Sequence, residues 1–230
     1  MALRLVNEGL EYRYLPFEAG SLQEAGRRLA GLAYSDATGA HAAACEYAAT
    51  ARNAQVTVTG VWQQGGRYYA SGVLSSVTIH HGCYLDLPRW TNVRMRSQAV
   101  QQEWTRYLQR LEVHERGHVS LVTPALEWRQ FQFSLAAPCA SKTDAARALE
   151  QAFLPQVTAV AAQLILQASA RYDQNTRHGA SQGAQLRADA VPNDCGRPNC
   201  RGHRSPSDVC PFYCTRAGCP GHSAPTHRCA

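Results

Sequence analysis

The stretch Val100-Gln101-Gln102-Glu103-Trp104-Thr105-Arg106-Tyr107-Leu108-Gln109-Arg110-Leu111-Glu112-Val113-His114-Glu115-Arg116-Gly117-His118 decides how the rest of the chain is read. Val100, Trp104, Tyr107, Leu108 and Leu111 recur at threes and fours, the period of one helix face. Continuing that stripe lands on His114, Glu115, His118 and Val122, so the spacing predicts a helix from about Gln98 whose His-Glu-x-x-His motif points inward. Residues four apart share a helix face, and two imidazoles so placed can bind one zinc ion while Glu115 polarises a water beside it. Three polar groups on a core-facing stripe are costly unless something satisfies them, and a metal with its water does so.

A hydrolytic zinc site needs a third protein ligand and an open position for water. The residues that offer one are His178, His80, His81, Glu127, Glu150 and Asp173. Glu150 sits on the opening turns of a later helix, and His80 with His81 reads more simply as a pair at a strand end. His178 follows a helix that returns toward the first one and lies in a Gly-flanked turn that can fold back. Asp173 and Tyr172 then stand nearby, the first able to orient a ligand imidazole from the second shell and the second able to donate to an oxyanion, although plain packing also accounts for Tyr172.

Around the motif helix the chain alternates between strand and helix signals. Leu10 to Phe17 alternates like a half-buried strand, and Ser21 with Glu24 makes a capping-box start for a helix to about Ala33. Gln55 to Trp62 and Tyr68 to His80 are rich in Val, Thr, Ile and Tyr, and Gly65-Gly66 between them predicts a hairpin turn. Cys83 to Trp90 reads as an edge segment ended by Pro88. Pro124 should kink or break the motif helix, with helix resuming to Phe133 and a loop around Pro138-Cys139. From Ser141 a second long helix carries the stripe Leu149, Phe153, Val157, Val160, Leu164, Ala168 and Tyr172 as far as about Gly179. These elements predict an α+β domain with a small antiparallel sheet and two long helices.

Composition excludes little. The net charge of +6 comes almost wholly from arginine, Lys142 being the sole lysine, and the arginines are scattered rather than blocked. No apolar run reaches the roughly 20 residues of a membrane span, so no membrane partner is expected. The first residues lack the apolar core of a signal peptide.

Of nine cysteines, six crowd the end of the chain. Cys195, Cys200, His203 and Cys210 repeat as Cys214, Cys219, His222 and Cys229, with the histidine kept in step. A disulfide framework has no use for a histidine at fixed offset, whereas a Cys3His zinc site needs one, so the tail is expected to hold two structural zinc ions. Its arginines permit contact with nucleic acid or an acidic protein. The expected organisation is a domain over 1–187, a linker over 188–194 and the zinc-binding repeats over 195–229.

Several blocks together carry a resemblance: Tyr12-Arg13-Tyr14, Leu87-Pro88-Arg89-Trp90, Trp104 before His114-Glu115-Arg116-Gly117-His118, Cys139, and Tyr172-Asp173-Gln174-Asn175-Thr176-Arg177-His178-Gly179. The chain resembles the bacterial family called domain of unknown function 922, described as predicted secreted zinc-dependent proteases. The resemblance implies a zincin-like metallopeptidase with one catalytic zinc on His114 and His118, Glu115 as general base and His178 as third ligand. It also implies a disulfide between Cys83 and Cys139. The function expected is hydrolysis of peptide bonds in a protein or peptide substrate; the alternative is a non-catalytic zinc adaptor. Thiolate zinc sites with no visible signal peptide favour the cytoplasm, and the family's character favours secretion.

Overall fold

The protein is seen in a computed structural model that describes residues 2–32, 34–36, 39–41 and 43–191, with only the backbone of 34–36 and 39–41 described. The expected tail ligands Cys195, Cys200, His203, Cys210, Cys214, Cys219, His222 and Cys229 lie outside the described residues, as do residues 192–194 of the expected linker.

Strand β1 (Ala2–Phe17) leads into α1 (Leu22–Leu32). The capping box forms: Ser21 Oγ accepts the Glu24 amide at 3.2 Å, and Glu24 Oε2 accepts the Gly20 amide at 2.7 Å. Two short strands, β2 (Tyr34–Asp36) and β3 (Gly39–His41), pair with each other. The predicted hairpin is present and longer than its β-branched runs suggested, as β4 (Ala44–Gln64) and β5 (Arg67–Trp90). Gly65 and Gly66 turn it at φ 55° and 76°, the doubly left-handed pair that fits the twist of a two-residue hairpin loop.

Helix α2 (Gln98–Ala125) stops one residue after Pro124, and only a 3-10 turn, Trp128–Phe131, follows where more helix was expected. The segment expected as a loop around Pro138 is β6 (Ser134–Cys139), antiparallel to β5 from Tyr68 opposite Cys139 to Val73 opposite Ser134. Helix α3 (Ala145–Thr176) completes the fold.

The sheet order is β1-β5-β4, with β6 also on β5, so Cys83 to Trp90 is the end of the central strand rather than an edge. Leu85, Asp86, Leu87, Pro88 and Trp90 are all buried, and a run covered on both faces loses the alternation by which strands are recognised. The result is a mixed α+β fold with a small open sheet and three α-helices among the described residues.

Contacts divide the chain into two compact units, with α2 and α3 each contributing to both. One holds residues to Glu11, Cys45–Tyr84 and Gly117–Asn175, around Leu74, Val77, Ile79, Val122, Phe131, Leu149, Phe153 and Val157. The other holds Tyr12–Ala44, Leu85–Arg116 and the described chain from Thr176, around Leu22, Leu29 and an aromatic group. In that group Phe17, Trp90 and Trp104 meet pairwise at centroid distances of 5.4 to 6.1 Å, partly edge to face. Arg13 and the buried Asp86 form a two-pronged ion pair at 2.7 and 2.6 Å.

By length and composition α3 is apolar enough to cross a membrane, contrary to the run-length expectation. Leu149, Phe153, Val157, Ala161 and Ile165 are buried in the first unit's core, and 22% of the apolar stretch is buried in all.

The Cys83–Cys139 disulfide does not form, and both cysteines are free thiols. Cys139 stands opposite Tyr68, fifteen residues before Cys83 on β5. At about 3.3 Å per residue that separation far exceeds the roughly 7 Å between α-carbons that a disulfide spans.

His81 is 5% exposed, and its Nδ1 has no hydrogen-bond partner among the described residues. Burial disfavours the imidazolium and lowers its pKa. The unfolded chain therefore binds a proton that the folded chain refuses, once pH drops below about 6.5. Stability is expected to fall on acidification through that range, by at most about 1.4 kcal/mol per pH unit from this group. Urea midpoints at pH 7.5 and 5.5 should diverge less for His81→Phe than for the parent; equal divergence would contradict this assignment.

Candidate metal centre

The stripe on α2 is buried as its spacing predicts: Val100, Trp104, Tyr107 and Leu111 lie in one core, and His114, Glu115 and His118 are each 4 to 5% exposed. One helical turn separates the two histidines. Their ligand atoms and a carboxylate oxygen of Asp173 lie within 4.8 Å of one another, a group of three among the described residues that could hold a metal ion.

Each imidazole is held by a partner at Nδ1. Gln182 Oε1 lies 2.9 Å from His114 Nδ1. An amide oxygen only accepts, so that nitrogen carries the hydrogen and Nε2 presents its lone pair. Ser169 Oγ lies 2.9 Å from His118 Nδ1, and the Tyr47 hydroxyl donates to the same Ser169 oxygen at 3.3 Å. His118 Nε2 faces Asp173 Oδ1 at 3.0 Å. Two imidazole nitrogens and one carboxylate make an N2O donor set that suits zinc, and each ring is held at Nδ1 by a polar side chain. Asp173 was expected to orient a ligand imidazole through its far nitrogen. It stands instead at the nitrogen a metal would take, while Ser169 occupies the orienting position.

Why these groups converge is visible along α3. Its fully buried residues run at fours, Leu149, Phe153, Val157, Ala161 and Ile165, and the next two steps are Ser169 and Asp173. The stripe read from sequence drifted instead to Val160, Leu164 and Ala168, which are only half-buried. Apolar residues surround this helix, so period alone does not choose between the two ridges.

Tyr172 sits edge-on to His118, with ring centroids 4.8 Å apart. Its phenol occupies the space beside Gly117, where a Cβ would overlap the hydroxyl oxygen and the ring carbon that bears it. The second variable position of the motif is thus closed to any side chain.

Beyond α3 the chain turns through Arg177, His178 and Gly179, at φ 52°, 51° and 76°. Three left-handed residues in succession reverse the chain sharply, at a cost for the two that are not glycine. Thr176 Oγ1 accepts the Gly179 amide at 3.4 Å. A Cβ on Gly179 would meet His114 Cγ at 3.0 Å, so only glycine lets this turn lie against the imidazole. His178 is half-buried in the turn and lies outside the group of three ligands. Gln182 is kept in place from α2: Arg106 donates to the Gly183 and Gln185 carbonyls at 2.8 and 2.6 Å, and Glu103 accepts the Arg187 amide at 2.9 Å.

On the outer side of the motif, Tyr12 donates to Glu112 at 2.8 Å and Arg116 donates to the same oxygen at 3.0 Å. Tyr107, four positions from Leu111 and buried, is held protonated by its burial and by the charge of Glu115.

The model of a bacterial family of unknown function, DUF922, matches residues 12–179. The chain belongs to DUF922. No curated protein and no solved structure matches it. The DUF922 span opens on Tyr12, which braces the motif helix through Glu112, and closes on Gly179, which lies against His114. Gln182 falls just past it, and the Cys/His repeats lie wholly outside.

Gly117→Ala should displace Tyr172 and destabilise the protein by about 1–3 kcal/mol, the usual cost of overpacking. In a double-mutant cycle read by urea denaturation, Tyr172→Ala should relieve most of that penalty. Additive effects would mean that the two residues do not meet.

Proposed function

We propose that this DUF922 protein is a zinc-dependent peptidase of zincin-like design, cleaving peptide bonds in a protein substrate. One observation carries the reading: two imidazoles with their Nδ1 positions occupied and a carboxylate converge beside a buried glutamate. His114, His118 and Asp173 would hold the ion. When bound, zinc lowers the pKa of a water and polarises a carbonyl oxygen.

The chain's own residues supply the rest. Glu115, adjacent to His114 and withdrawn from solvent, takes the proton from the attacking water and passes it to the leaving amine. Gln182 keeps His114 in the tautomer that offers Nε2, and Ser169 holds the His118 ring through Nδ1. Tyr172 brings its hydroxyl over the Gly117 backbone, where it can donate to the oxygen that gains charge. The adaptor alternative requires a closed site with four protein ligands. Three among the described residues favour the enzyme. For the tail, Cys195, Cys200, His203 and Cys210 would hold one structural zinc, and Cys214, Cys219, His222 and Cys229 a second.

Metal analysis and peptidase assay on purified variants test both parts. The parent should carry three zinc ions per chain, and Glu115→Gln should keep all three while losing at least about 100-fold in activity. Asp173→Ala should drop one zinc, whereas His178→Ala should retain it. Zinc lost from His178→Ala and kept in Asp173→Ala would restore His178 as the third ligand. Full activity in Glu115→Gln would exclude this mechanism.

A further inference from the structure

An open cleft of about 390 Å³ lies within the second unit. One wall is a face of α1, on which Gly26, Leu29 and Ala30 stand three and four residues apart. The remaining lining comes from the chain just past Gln182, with Ala184, Gln185 and Leu186, and from Tyr107 of α2. Leu29, Tyr107 and Ala184 are buried members of one core, so the floor is apolar, and no lining residue carries a charge.

Gly26 occupies the middle of α1, where glycine weakens a helix relative to alanine. Nothing lies within 4 Å of the place its Cβ would take. The helix thus forgoes a side chain where no neighbour forbids one, and the space left belongs to the cleft.

This cleft adjoins the metal centre. A Cβ on Gly179 would meet Ala184 Cβ at 2.9 Å and His114 Cγ at 3.0 Å, so the wall residue and the ligand imidazole flank one point. Ala184 also donates its amide to the Gly179 carbonyl at 3.0 Å. Arg106 holds the carbonyls on either side of Ala184, those of Gly183 and Gln185. On α2, Tyr107, Leu111 and His114 follow at four and three residues along one face.

We propose that this cleft binds a bulky apolar side chain of a peptide. Under the peptidase reading, on which this part rests, it is the pocket that selects the residue beside the bond to be cut. Its volume stands at the small end of the roughly 300–1,000 Å³ of ligand pockets, which suits one side chain of leucine or phenylalanine size. A charged side chain would lose solvation there and find no opposite charge in return.

Two blocked peptides test the proposal, acetyl-pentaalanine amide and its variant with phenylalanine at the centre. Each is titrated by NMR line broadening into the zinc-loaded full chain carrying Glu115→Gln, and each is incubated with the zinc-loaded parent. The phenylalanine peptide should bind roughly 10-fold tighter or more, and the parent should cut it at a bond adjoining phenylalanine. Gly26→Trp fills the cleft from a position with open space around it, and Ala30→Trp does so from an exposed rim position. Added to the Glu115→Gln chain, each should bring the binding ratio close to one without lowering the thermal midpoint. Equal binding of the two peptides before either Trp change, or a preference that survives both, would overturn the proposal. Preference for phenylalanine with no cutting by the parent would uphold the cleft and remove the peptidase reading; cutting without preference would do the reverse.

Discussion

Desolvation of His114, Glu115 and His118 is the constraint from which the rest of this structure follows. Three ionisable side chains on the buried stripe of one helix would oppose folding if left without partners, since each must exchange water for something equally polar. The surrounding elements answer that demand residue by residue. Ser169 and Asp173 come from α3, Gln182 from the turn beyond it, and Tyr47 from β4 supports Ser169 in its turn. Even the two glycines near the site act by absence, Gly117 giving room to a phenol and Gly179 to an imidazole face. Both imidazoles are thereby held at fixed positions on the buried face of α2.

How much of this was legible beforehand depended on whether a feature has a local period. The motif helix was readable because His114 and His118 continue a stripe that Val100, Trp104 and Leu111 had already set. The hairpin was readable because Gly65 and Gly66, in succession between β-branched runs, suit a tight turn and little else. The ridge that carries Ser169 and Asp173 was not, because α3 is apolar on neighbouring faces and its buried line could be drawn through Val160 or Ala161 with equal justice. Stepping by fours from Leu149 would have reached both residues. Gln182 gave no signal at all, since its role depends on a turn through two left-handed residues that are not glycine. Strand β6 was hidden by Pro138, and the end of β5 by burial on both faces.

The cysteines illustrate a different limit. Sequence places Cys83 and Cys139 in one domain but says nothing of the distance along β5 that separates them. Strand register, a long-range property, decides which thiols can meet. The same holds for Arg13 and Asp86, which meet as a two-pronged pair although 73 residues separate them in the chain.

The sequence separations within the metal centre have a consequence of their own. Ser169 reaches back 51 residues to His118, and Gln182 reaches back 68 to His114. An ion shared by α2 and Asp173 would therefore act as a cross-link closing a loop of comparable size, and loops of that length cost the unfolded chain considerable entropy when tied. Metal loading would then govern the lifetime of the folded chain as well as its chemistry. A molecule deprived of the ion would keep its secondary structure but lose the tie between distant segments, opening sooner and offering its own backbone to the proteases around it.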